Sequence, residues 1–165
     1  MKKHLYIILL CLPLIGFGLL CLPLIGFGQT EYIKEYHENG RLEKEGKMKD
    51  GEKDGVWKYY YENGQLKYEG NNKDDKREGL WKFYYENGQL NYEGNYKDDK
   101  REGFLKRYHE NGQLNYEGNY KNDKKEGLWK FYYENGQLEW EGKFKEGELI
   151  SQKCWDKDGK EIECE

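Results

Sequence analysis

Asn-Gly pairs stand at Asn39-Gly40, Asn63-Gly64, Asn87-Gly88, Asn111-Gly112 and Asn135-Gly136, an unbroken step of 24 residues. A fixed period of this length marks a repeat architecture, in which each unit buries its apolar surface against the next. One unit, residues 79–102, reads GLWKFYYENGQLNYEGNYKDDKRE. An Asn-Gly pair between two alternating runs is a strong hairpin signal, because a two-residue type I′ turn needs positive φ at both central positions. With Asn87 and Gly88 in such a turn, cross-strand partners sum to 175 in residue number. Tyr85 then faces Leu90, Phe83 faces Tyr92 and Trp81 faces Gly94 on one side of the sheet. Lys82 meets Glu93 and Tyr84 meets Asn91 on the other. A one-residue slip would send one strand's side chains to the wrong face.

The other units repeat this arithmetic. Lys58 pairs with Glu69, Lys106 with Glu117 and Lys130 with Glu141; Trp57 lies over Gly70 and Trp129 over Gly142. Leu105 and Arg107 make the fourth unit the least apolar of the interior ones. The fold expected is all-β: an elongated, twisted, single antiparallel sheet of about six stacked hairpins. Twelve strands at ~4.8 Å each give roughly 55–60 Å.

The ends are atypical, as end repeats facing water must be. In the first hairpin the inward positions are Ile33, Glu35 and His37 on one strand, and Leu42, Lys44 and Gly46 on the other. Residues 148–165 form a capping hairpin whose turn, Asp158-Gly159, follows the last Asn-Gly by 23 residues, with Trp155 facing Ile162. Between the hairpins, charged stretches such as residues 97–103 read as links. They end at Gly55, Gly79, Gly103 and Gly127, where positive φ or a close backbone approach is expected.

Residues 1–28 are different material. Lys2 and Lys3 precede an uncharged stretch in which LLCLPLIGFG occurs twice, at residues 9–18 and 19–28. This reads as a secretory signal with a duplicated apolar segment, cleaved after Gly28, where Gly26 and Gly28 supply the small residues a signal peptidase inspects. The other reading is an uncleaved anchor, since some 20 apolar residues can span a bilayer; Pro13, Pro23 and four glycines weaken such a helix. Either reading places residues 29–147, the repeat region, outside the cytoplasm: periplasmic, at the cell surface or secreted. Cys11 and Cys21 follow leucines, unlike lipid-modified cysteines.

Removing Lys2 and Lys3 from the 28 basic residues leaves 26 against 32 acidic ones, a net charge of −6 for residues 29–165. Both signs are interspersed, which argues against a nucleic-acid partner, whose footprint is a dominantly basic face. Ile, Leu, Val and Met are scarce after residue 28, so the core must be mostly Tyr and Trp.

The run from Tyr92 to Gly103, YEGNYKDDKREG, resembles the MORN repeat, whose pattern is Y-x-G-x-W/Y-x-x-G-x-x-x-G. The added YYENGQL-x-YEG is similar to the bacterial variant of that repeat, and the resemblance covers about residues 32–147. Asp75 and Asp99 stand where the family has its middle glycine, which bears on the loop geometry there. The resemblance implies a sheet of stacked hairpins serving as a scaffold or binding surface. Bacterial proteins of this variant are often labelled antitoxins of toxin–antitoxin systems, which makes a toxin-neutralising role the alternative function.

Little points to catalysis. Ser151 and Thr30 are the only hydroxyl nucleophiles of the serine and threonine type beyond residue 28, and neither has a Gly-x-Ser-x-Gly setting. His37 and His109 occupy the position that holds Tyr85 in the third unit, so they substitute for a ring; zinc wants clustered Cys and His. Glu69, Glu93, Glu117 and Glu141 recur opposite lysines, as structural residues do. Asp74-Asp75 and Asp98-Asp99 lack the ligand spacing of a calcium loop. No catalytic, metal or cofactor residue is assigned.

One column suggests binding. Tyr36, Tyr60, Tyr84, Tyr108 and Tyr132 fall on the face opposite the Trp-Phe-Tyr set, beside Glu43, Lys67, Asn91, Asn115 and Glu139. A fixed aromatic ladder flanked by variable polar residues suits an extended protein or glycan partner; a ladder that only stiffens the sheet is the competing reading. Membrane contact enters only through an uncleaved signal or surface association, and the sequence does not fix an oligomeric state. Cys154 and Cys164 are the cysteines left after cleavage, and an oxidising compartment permits a bond. In the two-residue register Cys154 faces Glu163 and Cys164 faces Lys153, on opposite faces, so a bond needs a bulge or a three-residue loop.

Overall fold

A computed structural model of the chain describes residues 29–164. The expected signal or anchor at residues 1–28, and its cleavage point, lie outside the described residues. Twelve strands follow one another: β1 (Thr30–Tyr36), β2 (Leu42–Lys49), β3 (Glu52–Tyr60), β4 (Leu66–Lys73), β5 (Lys76–Tyr84) and β6 (Leu90–Lys97) in the first half. Then come β7 (Lys100–Tyr108), β8 (Leu114–Lys121), β9 (Lys124–Tyr132), β10 (Leu138–Lys145), β11 (Glu148–Trp155) and β12 (Glu161–Ile162). They form one antiparallel sheet in sequence order, each strand bonded to the next. The all-β hairpin-repeat architecture is therefore as the sequence implies.

The two kinds of turn exchange their expected roles. At Asn87-Gly88, Tyr85 N donates to Gln89 O at 2.8 Å and Gly88 N donates to Tyr85 O at 2.9 Å, which encloses three loop residues. Gly88 alone takes the left-handed conformation, with φ 86°, while Asn87 keeps negative φ and accepts from Gln89 N at 2.9 Å through Oδ1. This is a type I turn followed by a left-handed glycine, the usual three-residue hairpin loop. The same backbone bonds recur at Asn39-Gly40, Asn63-Gly64, Asn111-Gly112, Asn135-Gly136 and Asp158-Gly159.

The two-residue turns with both residues at positive φ lie in the charged links instead, at Asp74 (51°) and Asp75 (62°), and at Asp98 (48°) and Asp99 (65°). Lys73 pairs with Lys76 and Lys97 with Lys100, so these are strand ends, not loops. Aspartate visits the left-handed region more readily than most residues, and here its side chain is bonded to the neighbouring turn. Asp99 Oδ1 accepts from Arg77 N at 3.0 Å and Asp123 Oδ1 from Arg101 N at 3.1 Å, and each ties its turn to the preceding one. The backbone N–H of Asp98 and of Asn122 is taken by Glu78 and Glu102 of the unit before.

A bulge corrects part of the register. Phe83–Tyr92, Lys82–Glu93 and Trp81–Gly94 pair as expected, but the alignment shifts after Phe83 and Tyr84 pairs with Leu90. The expected Tyr85–Leu90 and Tyr84–Asn91 pairs do not form, because the three-residue loop leaves Asn91 as the extra residue. A second shift falls at the glycines beginning each unit: Gly55, Gly79, Gly103 and Gly127 have φ of 90°, 70°, 91° and 71°, as the sequence suggested.

Trp57, Trp81, Leu105 and Trp129 are the buried centre of successive units. Each indole faces its own unit's glycine across the pair, but the ring lies on the glycine of the unit before. A methyl group on Gly46, Gly70 or Gly118 would overlap Trp57, Trp81 or Trp129 respectively. Each indole Nε1 then donates to a carbonyl beside the bulge: Lys47 O at 2.9 Å, Asn71 O at 3.0 Å and Asn119 O at 3.0 Å. Gly142 has no following indole and is covered by Trp140 and Leu149. At the other end, Glu35 and Lys44 form an ion pair of 3.0 Å where three of the four interior units pair two rings and the fourth pairs Arg107 with Tyr116, as suits an end unit.

Candidate functional site

The two faces of the sheet differ in how far their side chains are already engaged. On the aromatic face, Tyr59 stacks on Tyr68 at 4.3 Å, and Phe83 meets Tyr92 edge-on at 5.2 Å. A column of cations lies across these rings. Arg77 sits 4.2 Å from the Tyr96 ring and Arg101 4.0 Å from Tyr120. Each is held by the following turn: Arg77 to Asp99 at 3.1 Å, Arg101 to Asp123 at 2.7 Å. Backbone and side-chain donation from Arg77 holds the Asp99 carboxyl below its usual range, and Arg101 does the same for Asp123.

On the opposite face the tyrosine column is present but occupied. Tyr60 Oη donates to Glu45 at 2.8 Å, Tyr84 to Glu69 at 3.3 Å, Tyr108 to Glu93 at 3.1 Å and Tyr132 to Glu117 at 3.1 Å. Burial, reinforced by the glutamate beside each, pushes Tyr60, Tyr108 and Tyr132 up to about 12. Tyr36 is 59% exposed. The expected neighbours Glu43, Lys67, Asn91, Asn115 and Glu139 are not the cross-strand partners; the bulge puts Leu42, Leu66, Leu90, Leu114 and Leu138 there.

The adjoining position is a clamp between units. Tyr61 Oη donates to Tyr84 O at 2.8 Å and Tyr85 Oη to Tyr108 O at 2.7 Å. His37 Nε2 meets Tyr60 O and His109 Nε2 meets Tyr132 O, both at 2.9 Å, so the histidines do the work of the tyrosines they replace. Asn115 Nδ2 lies 2.9 Å from the same His109 Nε2 and 3.3 Å from Nδ1, and with the proton assigned to Nε2 only Nδ1 can accept from it. The turn asparagines add to this clamp: Asn63 Nδ2 donates to Glu86 O at 2.9 Å, and Asn111 Nδ2 to Glu134 O at 2.9 Å. Among the described residues no group of three His, Cys, Asp or Glu is placed to hold a metal ion.

Sequence reasoning passed over one column. Val56, Leu80, Phe104 and Leu128 precede the core residue of each unit and point to the tyrosine face, 57%, 47%, 43% and 48% exposed. Their cross-strand partners are polar: Asn71, Asn95, Asn119 and Lys143. An apolar residue retained in water at the same place in four units was legible in the sequence as the residue before Trp57, Trp81, Leu105 and Trp129.

The capping hairpin also departs from its expected register. Asp156 N donates to Lys160 O at 2.9 Å, giving a three-residue loop, so Trp155 pairs with Glu161 and Cys154 with Ile162. This brings Cys164 to the same face as Cys154, and the two are joined, with Cα atoms 5.3 Å apart. Tyr133 Oη donates to Trp155 O at 2.9 Å and ties the cap to the last interior unit. No helix among the described residues is long and apolar enough to cross a membrane.

No curated protein matches the chain. A family model described as MORN repeat variant matches five consecutive segments, residues 33–50, 53–74, 77–98, 101–122 and 125–146. Each segment spans one hairpin and ends at the first residue of a two-residue turn, and the indole-on-glycine contacts join neighbouring segments. The repeated hairpins of this sheet are thus MORN repeats, and the chain belongs to the MORN repeat variant family.

Proposed function

We propose that the protein is a non-enzymatic binding or scaffold module acting outside the cytoplasm, and that its tyrosine face lies along an extended protein partner. The observation that carries this is the column Val56, Leu80, Phe104 and Leu128, exposed at the same place in four successive units. Apolar side chains kept in water in a regular array mark interaction surfaces. Successive anchors are two strands apart, about 9–10 Å. An extended chain rising about 3.1–3.3 Å per residue, crossing the strands, reaches an anchor at every third residue. Lys58, Lys82, Lys106 and Lys130, with the glutamates opposite them, offer both signs of charge beside the anchors. Tyr36, Tyr60, Tyr84, Tyr108 and Tyr132 then act as the second, partly shielded row of the same surface.

Extracytoplasmic location is supported by the composition of residues 1–28 and by the joined Cys154 and Cys164. An uncleaved anchor would leave the same module tethered outside. The test begins with a partner captured from the periplasm or cell surface. Leu80→Asn, Phe104→Asn or Leu128→Asn alone should weaken binding a few-fold, and the triple change far more, while circular dichroism stays that of the folded sheet. Unchanged affinity in the folded triple variant overturns the reading. Capture of a cytoplasmic toxin by the unexported chain would favour the antitoxin alternative.

A further inference from the structure

The last interior unit and the cap border a shallow cleft of about 610 Å³, broadly open to solvent. Its floor is aromatic: Phe131 meets Trp140 edge-on at 5.2 Å, and Trp140 lies 6.0 Å from Phe144. Its wall is the joined pair Cys154 and Cys164. Trp140 stands where the other interior units carry Tyr68, Tyr92 and Tyr116, and its Nε1 is held by Gln152 at 3.0 Å. The volume falls within the range of small-molecule sites, about 300–1,000 Å³.

The one cation in this cleft lacks the ion pair made by the arginines at its position. Lys125 Nζ lies 4.7 Å from the Trp129 ring centre, 4.8 Å from Phe144 and 5.3 Å from Phe131. It occupies the position of Lys53, Arg77 and Arg101; the arginine charges are met by Asp99 and Asp123, while Lys53 Nζ donates to Tyr59 Oη at 2.6 Å and Asp75 takes the Lys53 backbone N–H. The next residue in that aspartate series is Gly147. Among the described residues no carboxylate lies within ion-pair distance of Lys125. Burial depresses its pKa, and the charge of Arg101 adds to this. Where the cation is arginine, the repeat places a carboxylate oxygen against it with a ring alongside.

We infer that the cleft binds a small monocarboxylate with a flat apolar body, its carboxylate taken by Lys125 Nζ and its body laid against Trp140 and Phe144. Glu139 and Glu163, exposed at the rim, disfavour anions of higher charge. The site is independent of the tyrosine face, so either assignment can fail without the other.

The test uses the full chain with indole-3-acetate and, as its uncharged counterpart, indole-3-acetamide, followed by titration calorimetry. The carboxylate should bind at least about tenfold more tightly than the amide, as a charge-assisted bond to a partly desolvated ammonium provides. Lys125→Gln should remove that preference and Lys125→Arg should keep it. Lys125→Arg combined with Gly147→Asp rebuilds the Arg101–Asp123 pair in cis and should also remove the preference. Asp75, Asp99 and Asp123 already adopt positive φ at the equivalent position, and a Cβ at Gly147 would meet Lys124 only at ordinary contact, 3.6 Å. Equal binding of acid and amide, failure of either to bind, or a folded Lys125→Arg/Gly147→Asp chain that keeps the preference would overturn the inference.

Discussion

Gly70→Ala should cost far more than Gly94→Ala, although the two glycines occupy the same position in neighbouring units. At Gly70 the added methyl meets Cγ, Cδ2 and Cε2 of Trp81, the rigid centre of an indole only 4% exposed. That ring cannot turn aside without breaking its bond to Asn71 O at 3.0 Å. Overpacking costs about 1–3 kcal/mol and the lost hydrogen bond about 1 kcal/mol. The alanine recovers about 0.4–1 kcal/mol by restricting the unfolded chain. The net is a destabilisation of about 1–3.5 kcal/mol, roughly 2–4 °C in Tm for each kcal/mol in a chain of this size. At Gly94 the following unit offers Leu105 instead of an indole, and the methyl meets Tyr92 Oη at 2.8 Å, Tyr92 Cζ at 3.2 Å and Leu105 Cδ1 at 3.4 Å. These are the outer ends of side chains, with the Tyr92 hydroxyl moving against its 3.1 Å contact with Tyr96 Oη, so the net effect should stay within about 1 kcal/mol. Urea unfolding of both variants, followed by tryptophan fluorescence and circular dichroism, measures the difference. Equal losses would refute the account of indole stacking on the preceding unit.

Three further outcomes are expected. His109→Tyr should be close to neutral, because a phenol reaches the same Tyr132 carbonyl, while His109→Phe leaves it unpartnered at a cost of about 1–2 kcal/mol; urea unfolding distinguishes them. Tyr60, Tyr108 and Tyr132 are raised to about 12 in the fold against roughly 10 unfolded. Their contribution to stability is therefore complete below about pH 10 and disappears as pH rises through about 12. Phenolate absorbance should lag that of the urea-unfolded chain, and coincident curves would contradict this. Exported protein should begin at Gln29 by intact mass and resist thiol labelling at Cys154 and Cys164 until reduced; a membrane-bound chain retaining Met1 would mean an anchor.

Much of the fold was legible because its signals are periodic. The step of the Asn-Gly pairs gave the unit, and Phe83–Tyr92 with Trp81–Gly94 gave the register of its middle. What was not legible lies at the ends of the strands. Asn-Gly suits both the two-residue and the three-residue loop, and the choice turns on whether Asn87 takes positive φ, which no single residue type decides. The charged stretch at Lys97–Arg101 looked like a loop because it is polar, yet its polar groups are the bonds that tie one turn to the next. Pairing arithmetic places Cα atoms and says nothing about which way an indole leans, so the stacking of Trp81 on Gly70 appeared only in three dimensions. The cleft beside Lys125 depends on how the cap folds back, and the shift of its turn by one residue obscured that in the sequence.

The central functional claim is that one face engages its partner across several units at once. Hydroxyl-radical footprinting of the native protein with and without its captured partner tests this most directly. The account predicts that oxidation of Val56, Leu80, Phe104 and Leu128 falls together on binding, while Trp57, Trp81 and Trp129 stay protected in both states. Protection confined to a single unit, or to the aromatic face around Tyr96 and Tyr120, would contradict it.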